Sequence, residues 1–371
     1  MQLPEPGDRV VVAMSGGVDS SVAAALLVEQ GCEVIGVTLS LYETGPDVKG
    51  GCCSPDDISD ARRLCGDLGI PHYVLNYRDR FNELVIEPFV DSYNRGETPN
   101  PCVGCNTFLK FDLLLDRVVA LDARWLVTGH YARIFRAPEG GLRLLAGVDP
   151  AKDQSYFLWG IREQVLSSLC FPIGGMSKEE VREAASRLGL RTRNKPDSQD
   201  VCFVEGGRAA DFVRKRGGAG GAGDVVDSHG RVLGRHDGVH QFTIGQRRGI
   251  GVAAPEPLYV KELDPARRLV VVGNNDELEV SEVSAGQFNW LRRPGQDEQL
   301  LARVRSRSPA TAVSGWAEEA PDRIRVRFHD AVRAVAPGQS LVVYGGAHCR
   351  ELLGGGVIVS KGRTPHARAG G

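Results

Sequence analysis

The stretch SGGVDS, residues 15–20, follows the apolar run RVVVAM, residues 9–14, and leads into SVAAALLVEQG, residues 21–31. This order predicts a strand, a tight turn and a helix. Glycines and serines at such a turn let backbone N–H groups close around an anion, and the helix N-terminus adds partial positive charge. The lysine of the G-x-x-x-x-G-K-[ST] loop is missing, so the stretch fits a site that grips the pyrophosphate released when ATP adenylates a substrate. The alternative is an ordinary glycine-rich turn.

Outward from this turn, strand-like and helix-like patterns alternate through the first 205 residues. Near-continuous apolar runs are typical of strands buried on both faces, and helical segments with clear start signals lie between them. The further runs are CEVIGVTLSL (32–41), PHYVLNY (71–77) and RWLVTGH (124–130). Helix starts are predicted at Ser54-Pro55 and at Ser177, where Glu180 completes a capping box. We predict an α/β domain over residues 1–205 with a doubly wound parallel sheet.

The pattern changes after residue 205. GGAGGAG, residues 217–223, is a flexible break, and short β-like runs separated by Gly, Pro and Asp follow it. They predict a small, mostly β central domain over residues 206–275 and a C-terminal β-barrel over residues 276–362. We expect the tail, residues 363–371, to be disordered.

The composition narrows the class of protein. The chain has 371 residues, 42% of them hydrophobic and 25% charged, with a formal net charge of −2. No run approaches the roughly 20 apolar residues of a membrane helix, and the N-terminus lacks a signal-peptide pattern, so we expect a cytoplasmic protein without a membrane segment. There, nine cysteines are better explained as thiols, ligands or catalysts than as a disulfide framework. The near-neutral charge means that RNA binding would depend on local patches.

Two cysteines stand at C-x-x-C spacing in TPNPCVGCNTFLKF, residues 98–111. Cys102 and Cys105 could be half of a metal site, a redox pair or reagents in another chemistry, and the spacing alone does not choose.

Further motifs favour one of these possibilities. In SGGVDS, in TPNPCVGCNTFLKF and in several other stretches, the chain resembles the tRNA-specific 2-thiouridylase family (MnmA/TrmU) of the ATP-pyrophosphatase, or PP-loop, superfamily. The stretches that carry the resemblance are GCCSPDDISDARRLCGDLGIPHYVLN (51–76), TGHYAR (128–133), KDQSYFL (152–158), DSQDVCFV (197–204), TIGQRRGIG (243–251) and PGQSLVVY (337–344).

The resemblance implies a tRNA-uridine 2-sulfurtransferase. Such an enzyme uses ATP to adenylate O2 of the wobble uridine, position 34, and then replaces that oxygen by sulfur from a cysteine persulfide, releasing AMP and pyrophosphate. It implies ATP and Mg²⁺ as cofactors, tRNAs for Lys, Glu and Gln as partners, and a persulfide-donating sulfur carrier or cysteine desulfurase. Asp19 would hold the magnesium ion, although it could also be a simple helix cap.

The resemblance also assigns roles to two thiols. Cys202 would carry the persulfide, and Cys105 would attack its inner sulfur, releasing hydrosulfide and closing a transient Cys105–Cys202 disulfide. Alternatively, the persulfide attacks C2 directly and Cys105 resolves the product. A structural alternative is that Cys202 is a buried apolar thiol in VCFV.

Other positions follow from the matched motifs. The ATP-binding residues implied are Ala13, Met14, Ser15, Gly16, Gly17, Val18, Asp19, Ser20, Leu39 and Gly129. The implied tRNA contacts are Asn100, Pro101, Cys102, Lys152, Asp153, Gln154, Arg305 and Ser306. His130 and Gln339 would lie near the modified base. For Leu39 and His130, burial in the core is the competing explanation.

Basic residues add to the RNA hypothesis. Arg303, Arg305 and Arg307 alternate in ARVRSRS, residues 302–308, and on a strand they would form a phosphate-binding stripe. RTRNK, residues 191–195, and Arg247-Arg248 are secondary candidates.

One residue departs from the family pattern. Cys102 stands where an Asp is usual, so Cys102, Cys105 and Cys202 could together hold an iron–sulfur cluster or a zinc ion. No chemistry follows for Cys52 and Cys53. Two rival functions remain: another PP-loop ligase acting on a small metabolite, and a non-catalytic RNA-binding protein in which SGGVDS is a relic.

Overall fold

The chain forms two compact units in a computed structural model that describes residues 1–42, 54–197, 201–204, 208–218, 220–346, 348 and 350–362. The first unit comprises residues 1–86, 101–207 and 350–353, and the second comprises residues 87–100, 208–349 and 354–371. Cys52, Cys53 and the tail predicted to be disordered lie outside the described residues.

The first unit contains a five-stranded parallel sheet, which confirms the predicted α/β fold. The strands of the first unit are β1 (Arg9–Ala13), β2 (Glu33–Ser40), β3 (His72–Asn76), β4 (Trp125–Val127), β5 (Ala132–Arg136), β6 (Leu142–Ala146) and β7 (Leu169–Cys170). Of these, β5 and β6 form an antiparallel hairpin that is not part of the parallel sheet. The sheet order is β3-β2-β1-β4-β7, and every pairing in it is parallel. Because β1 is central, its Val10, Val11 and Val12 are fully buried. The central position of β1 puts the turn that follows it in the middle of the carboxyl edge, where α/β proteins bind ligands.

The α-helices of the described residues are α1 (Val18–Glu29), α2 (Pro55–Asp67), α3 (Arg78–Phe81), α4 (Glu87–Asn94), α5 (Pro101–Gly104), α6 (Leu114–Ala120), α7 (Lys178–Arg187) and α8 (Ala209–Lys215). Of these, α4 and α8 belong to the second unit. π-Helical segments occur at Asn82–Ile86 and Cys105–Leu113, the latter joining α5 directly to α6. No helix in the described ranges is both long and apolar enough to cross a membrane.

Two of the predicted helix starts have the expected local chemistry. The Ser177 hydroxyl accepts from the Glu180 N–H at 3.2 Å, and the Glu180 carboxylate accepts from the Ser177 N–H at 2.7 Å. Ser54 and Asp57 form the same reciprocal cap at the start of α2, with Pro55 in its first position. These capping boxes satisfy N–H groups that a helix leaves unpaired, and so fix where α2 and α7 begin.

The second unit contains two β-structures. A four-stranded sheet has the order β10-β11-β8-β9, formed by β8 (Gly223–Val226), β9 (Val232–His236), β10 (Tyr259–Asp264) and β11 (Leu269–Gly273). A six-stranded barrel then follows the order β12-β15-β14-β13-β16-β17 and closes because β17 also pairs with β12. Its strands are β12 (Glu279–Trp290), β13 (Leu301–Arg303), β14 (Thr311–Ala320), β15 (Arg323–Arg333), β16 (Ser340–Gly345) and β17 (Glu351–Gly362). The predicted C-terminal β-barrel is therefore confirmed.

The predicted arginine stripe over residues 302–308 is wrong. Strand β13 ends at Arg303, and Ser308 closes a turn by bonding through its N–H to the Arg305 carbonyl at 3.2 Å. The Ser308 hydroxyl also accepts from the Arg305 N–H. Because the backbone turns here, the three arginines do not alternate along one strand.

Candidate active site

The loop between β1 and α1 is held in shape by its own serines. The Ser15 N–H donates to the Ser20 hydroxyl at 3.1 Å, and the two hydroxyl oxygens are 3.1 Å apart. Gly16 adopts a left-handed φ of +70°, and a Cβ there would lie 2.4 Å from the Asp57 carbonyl oxygen. A glycine is required at this position for both reasons.

The N-terminus of α1 is arranged to receive an anion. Its N-cap is Gly17, and no side chain among the described residues caps it. The first-turn N–H groups and the helix dipole are thus left to attract negative charge. Gly129, just after β4, approaches so closely that a Cβ would lie 2.7 Å from the Ser20 nitrogen. This glycine-lined cradle fits the phosphates of ATP.

Asp19 is a carboxylate in the first turn of α1, beside the phosphate loop. It accepts from the Tyr131 hydroxyl at 2.8 Å and from Lys178 Nζ at 2.8 and 3.0 Å. Burial, followed by the Asp19 charge, raises the pKa of Tyr131, so this phenol stays protonated as the donor. Tyr131 and Lys178 therefore orient the Asp19 carboxylate at the phosphate loop.

The same lysine reaches a second carboxylate. Lys178 Nζ lies 2.7 Å from Asp197 Oδ1, and Lys152 Nζ lies 2.7 Å from Asp197 Oδ2. Burial alone would raise the pKa of Asp197, but the hydrogen bonds from Lys152 and Lys178 outweigh it and the pKa is lowered. Asp19, Lys178, Asp197 and Lys152 form a chain of alternating charges, which we call the charge relay.

Lys195 attaches the same region to the loop from another side. Its Nζ donates to the Gly16 carbonyl at 3.0 Å and to Asp57 and Asp60 at 2.7 Å each. This lysine belongs to RTRNK, which we predicted to be a basic candidate for RNA contact. The structure instead directs its ammonium group to the phosphate loop and the start of α2.

The predicted tRNA-contacting triplet makes contacts within the first unit. Lys152 belongs to the charge relay, and Asp153 accepts from the Gly147 and Ser155 N–H groups at 3.1 Å each. Gln154 Oε1 accepts from the Tyr131 N–H at 3.0 Å. These contacts hold the triplet beside the residue that orients Asp19. Its contact with tRNA stays a prediction.

Cys102 and Cys105 lie at the start of the helical run that α5 begins. Cys102 is exposed and Cys105 is half-buried. The next residue, Asn106, is buried, donates to the Phe157 carbonyl at 3.1 Å and accepts from Lys110 Nζ at 2.9 Å. Asn106 thereby fixes the helix that presents Cys105, near an N-terminus that favours negative charge.

Cys202 lies in a turn whose backbone is held firmly. Its carbonyl oxygen accepts from the Tyr42 hydroxyl at 2.5 Å, and the Phe203 ring packs edge-on against Phe81 at 5.5 Å. Phe203 and Val204 are buried, whereas Cys202 is half-buried. The apolar character of VCFV thus serves Phe203 and Val204, and it leaves the Cys202 side chain partly accessible.

The arrangement of the cysteines does not fit a cluster. Within the described residues, which include Cys102, Cys105 and Cys202, no three His, Cys, Asp or Glu side chains are grouped so that they could hold a metal ion. An iron–sulfur or zinc site needs at least three such ligands together. The structure therefore gives no support to the cluster or zinc alternative.

His130 and Leu39 are both buried. The His130 ring packs against Phe111 and Phe171, and its Nδ1 lies 2.5 Å from the Thr128 hydroxyl. Burial, followed by the Lys110 charge, lowers the pKa of His130 well below its usual value, so the ring is neutral. Leu39 lies in β2 opposite Leu75, and Ala13 and Met14 end β1 and begin the loop, with Met14 bonded to the Val37 carbonyl at 2.8 Å.

Gln339 and Asn100, two of the predicted RNA-side residues, lie in the second unit. Gln339 Nε2 donates to the Thr98 carbonyl at 2.8 Å, and the Thr98 N–H donates to the Pro337 carbonyl at 2.8 Å. The segment that ends with the half-buried Asn100 is thus fastened beside Gln339. Pro101, which follows Asn100, is buried at the start of α5.

Arg305 has a structural contact that the sequence did not indicate. Its guanidinium donates to the carbonyls of Ile244 and Ala334 at 2.7 and 2.8 Å. It therefore ties the TIGQRRGIG loop to the barrel, with the half-buried Ser306 next to it.

Sequence reasoning missed four residues of the site: Tyr131, Lys178, Lys195 and Asp197. Two of them, Tyr131 in TGHYAR and Asp197 in DSQDVCFV, stand inside motifs that the sequence did single out. The presence of a carboxylate or a phenol within these motifs was the sequence signal that could have identified the two residues. Lys195 stood in RTRNK, which was assigned to RNA contact, and Lys178 had no signal, because the partners of both lysines lie far away in the sequence.

Comparison with known proteins places the chain among tRNA-modifying proteins. Family models match residues 8–206 ("tRNA methyl transferase HUP domain"), 210–274 ("tRNA methyl transferase PRC-barrel domain") and 280–358 ("Aminomethyltransferase beta-barrel domain"). A "tRNA-specific 2-thiouridylase MnmA" from Parvibaculum lavamentivorans is 48% identical over 95% of this chain and 90% of its own length. One from Geobacter metallireducens is 46% identical over 94% of this chain and 96% of its own length.

Solved structures are more distant. A 4-thiouridine synthetase–RNA complex with bound ATP is 15% identical and covers 56% of this chain and 50% of that chain, with a TM-score of 0.34. That likeness is too weak to support an argument.

Proposed function

The chain belongs to the tRNA-specific 2-thiouridylase family, and from that premise we propose that it thiolates C2 of the wobble uridine, position 34, of tRNA at the expense of ATP. It is a tRNA-uridine 2-sulfurtransferase. The finer steps are those that membership of this family implies, and the contacts around the phosphate loop support them.

The first half-reaction activates the uracil oxygen. O2 of uridine attacks the α-phosphorus of ATP, and pyrophosphate leaves toward the α1 N-terminus, where the first-turn N–H groups stabilise its charge. Gly16, Gly17 and Gly129 give the nucleotide room to approach the backbone. Magnesium, when bound at Asp19, would neutralise phosphate charge. The ordered ring of His130 is neutral and can take part in a hydrogen bond near the reacting base.

The second half-reaction replaces the activated oxygen by sulfur. Cys202 carries a persulfide, Cys202–S–SH, supplied by a sulfur carrier or cysteine desulfurase. Cys105 attacks the sulfur attached to the Cys202 Cβ, which forms a Cys105–Cys202 disulfide and releases hydrosulfide. The hydrosulfide adds to C2, and the C2–O bond breaks with loss of AMP. The persulfide sulfur gains two electrons, the two cysteines lose them, and a cellular thiol reduces the disulfide afterwards.

An alternative order uses the same atoms. The terminal persulfide sulfur attacks C2 directly and expels AMP, and Cys105 then attacks the inner Cys202 sulfur to release the thiocarbonyl. In either order Cys102 is not a reagent. No step is assigned to an iron–sulfur cluster, because the ligand arrangement does not fit one.

The RNA side of the proposal concerns the predicted tRNA-contacting residues of each unit. Asn100, Pro101 and Cys102 frame the target base, with Gln339 fastened beside this segment through Thr98. The Lys152–Gln154 loop and residues Arg305 and Ser306 contact the tRNA body. The tRNAs proposed are those for Lys, Glu and Gln.

One observation supports the sulfur-transfer proposal: Lys195 and Asp197, which precede Cys202 by seven and five positions, contact the phosphate loop, Lys195 through the Gly16 carbonyl and Asp197 through Lys178 and Asp19. A thiol that follows these contacts closely in the sequence suits a reagent that must act on an adenylated base.

The test is 2-thiouridine formation on unmodified tRNA with ATP and a persulfide donor. Cys105→Ser and Cys202→Ser should each lower the rate at least about 1,000-fold, since a hydroxyl cannot carry or resolve a persulfide. Cys102→Ser, the matched control on the same helix, should stay within about threefold of wild type.

Other outcomes have definite meanings. Equal loss in all three variants, together with iron in anaerobically purified protein, would sink the persulfide route in favour of a cluster. ATP turnover on a small amide without tRNA would support another ligase. Retained activity of both Cys105→Ser and Cys202→Ser would refute catalysis by these thiols.

A further inference from the structure

Two arginines of the first unit converge on the end of strand β6. Arg133, in β5, donates through Nε to the Ala146 carbonyl at 3.0 Å. Arg350, just before β17, donates through its guanidinium group to the Gly147 carbonyl. Ala146 pairs with Ala132 of β5 on one side, and its N–H donates to the Arg350 carbonyl at 2.8 Å on the other. Arg133 and Arg350, which we call the arginine pair, therefore reach the same corner from the strands on either side of β6.

Neither member of the arginine pair has an acidic partner. Among the residues that the structure describes, no carboxylate forms an ion pair with Arg133 or Arg350. By contrast, Arg143 of the same hairpin pairs with Glu139 and Glu351 at 3.4 Å each. Arg133 and Arg350 are both half-buried, so water screens their charges less than it screens those of exposed side chains. The arginine pair thus presents two positive charges that no described carboxylate contacts.

The electrostatics of the arginine pair are unfavourable without an anion. Burial and then the Arg350 charge lower the pKa of Arg133, while the Asp153 charge opposes them. Asp153 acts without forming an ion pair, and its Oδ1 accepts from the Gly147 and Ser155 N–H groups at 3.1 Å each. An anion bound between the two guanidinium groups would offset their mutual repulsion and would accept charge-assisted hydrogen bonds from both.

The corner at Gly147 is fixed in place and adjoins a predicted tRNA contact. A Cβ on Gly147 would lie 2.7 Å from the Tyr131 carbonyl oxygen, so the backbone is packed closely at this point. Asp153, which bonds to the Gly147 N–H, belongs to the loop of residues 152–154 that the sequence predicts to contact tRNA. The arginine pair therefore lies beside that loop.

RNA binding by this chain depends on local positive patches, because its formal net charge is −2. The predicted stripe over residues 302–308 is absent, and Lys195 of RTRNK is already paired with Asp57 and Asp60. Arg133 and Arg350, in contrast, have no acidic partner in the described part of the chain to give up. They are therefore better placed to receive a phosphate than these two earlier candidates.

We propose that the arginine pair is a phosphate-binding site of the first unit, which holds the tRNA backbone beside the loop of residues 152–154. A guanidinium group presents a planar fork of N–H donors and binds phosphate oxygens through parallel hydrogen bonds. Only Nε of Arg133 is used by Ala146, so its other donors face no competing partner among the described residues. The inference rests on the proposed function for the identity of the polyanion, but the contacts and the missing counter-charges do not.

The test measures the affinity of the full-length protein for unmodified tRNA between about 50 and 200 mM KCl. Arg133→Gln and Arg350→Gln should each weaken binding about 10-fold, because a charge-assisted hydrogen bond is lost. Each should also lower the slope of log affinity against log salt by about 0.7–0.9, since one phosphate fewer releases its counterions. The affinity for ATP, measured by calorimetric titration, should stay within about twofold of wild type.

A conservative variant separates charge from structure. Arg133→Lys keeps the positive charge but loses the planar fork, so it should retain the wild-type salt slope. A merely structural role of Arg133 at the Ala146 carbonyl would not predict that the slope follows the charge. Thermal melting checks that each variant is folded.

Arg136→Gln is the matched control. Arg136 lies on the same strand as Arg133, is exposed, and points to the opposite face because the two positions are separated by three residues. The substitution removes the same charge from the unit and should leave the salt slope within about 0.2 of wild type.

Three results would overturn the phosphate site: wild-type salt slopes in both glutamine variants, an equal loss of slope in Arg136→Gln, or a loss of ATP affinity without a loss of tRNA affinity. The last result would assign the arginine pair to the nucleotide and not to RNA. Each of them leaves the thiolation assay on Cys105→Ser and Cys202→Ser untouched. A wild type that does not bind tRNA at all would instead remove both this inference and the proposed function.

Discussion

The phosphate loop and the C-terminal barrel both carry pairs of acidic and basic residues, but the pairs differ in burial and in what they do. Around the loop, carboxylates and lysines alternate in partly buried positions, with Asp57 10% and Lys178 11% exposed. On β15 of the barrel, Arg325 and Arg327 are 49% and 67% exposed beside Glu319 and Glu282. Exposed pairs contribute about 0–1 kcal/mol each, whereas removing one partner of a buried pair costs about 3–5 kcal/mol.

Burial, and not the number of ion pairs, therefore decides whether the charged residues of a region fix its backbone or only keep its surface soluble. The barrel's outer pairs can be exchanged without moving the backbone. The loop's pairs hold a backbone that has almost no free space. Three predictions test this contrast, in order of decreasing effect.

The largest effect is expected for Gly16→Ala. The substitution forces a side chain into a left-handed φ and against the Asp57 carbonyl, which together should lower the free energy of unfolding by about 3 kcal/mol and abolish measurable ATP binding. Urea unfolding and calorimetric titration with ATP measure the two effects.

Gly69→Ala is its matched control. Gly69 has a φ of +69°, nearly that of Gly16, but a Cβ there would meet nothing within 4 Å. It should cost about 1 kcal/mol and leave ATP affinity unchanged. Equal losses in the two variants would show that backbone strain, and not the crowding of the loop, decides the effect.

A middle-sized effect is expected for Lys195→Met. The substitution leaves Asp57 and Asp60 without their shared cation. Since Lys195 is 28% exposed, the free energy of unfolding should fall by about 2 kcal/mol, which lies between the values for surface and buried pairs. Arg187→Met is the control in the same unit, because Arg187 pairs with Glu29 in an exposed position, and it should cost less than about 1 kcal/mol. A loss as large as that of Lys195→Met would mean that location in the unit matters more than burial.

The smallest effect concerns an exception within the barrel itself. Glu298 is 16% exposed and accepts from Arg292, and from the Gly295 and Gly346 N–H groups. The Arg292 hydrogen bonds are the main cause that lowers the pKa of Glu298 to about 2. A depressed carboxyl pKa adds stability above the unfolded value near 4.5, and that stability is lost as the pH falls toward 2.

Wild type should therefore lose about 1–2 kcal/mol more than Glu298→Gln between pH 5 and pH 3, measured by urea unfolding at each pH. The difference between the two proteins cancels the titration of other groups. Parallel pH profiles would show that Glu298 behaves as an ordinary surface acid in spite of its burial.

Much of the fold could be predicted because its signals are local. The valines of β1, the glycines that follow and the Ser177–Glu180 cap each act within a few residues, and the structure has all of them. The end of β13 was missed because a single turn, closed by Ser308, overrides a period-two pattern.

The site was less predictable because its contacts are long-range. Lys178 and Asp19 are 159 positions apart, and Lys195 and Gly16 are 179 apart. Nothing in a helix-start pattern such as MSKEEV indicates which carboxylate its lysine will meet. The roles of Cys105 and Cys202 in turn came from resemblance to a family, not from their spacing.

The separation between Asp19 and Lys178 also has a consequence during synthesis of the chain. At about 5–20 residues per second, a ribosome needs roughly 10–30 s to add the residues between them. Until then the nascent chain contains the phosphate loop and Asp19 but not Lys178, which will orient the Asp19 carboxylate. Because residue 178 lies near the middle of the 371-residue chain, the lysine is added only about halfway through translation, and a chain released before it would retain the phosphate loop but lack the residue that orients Asp19.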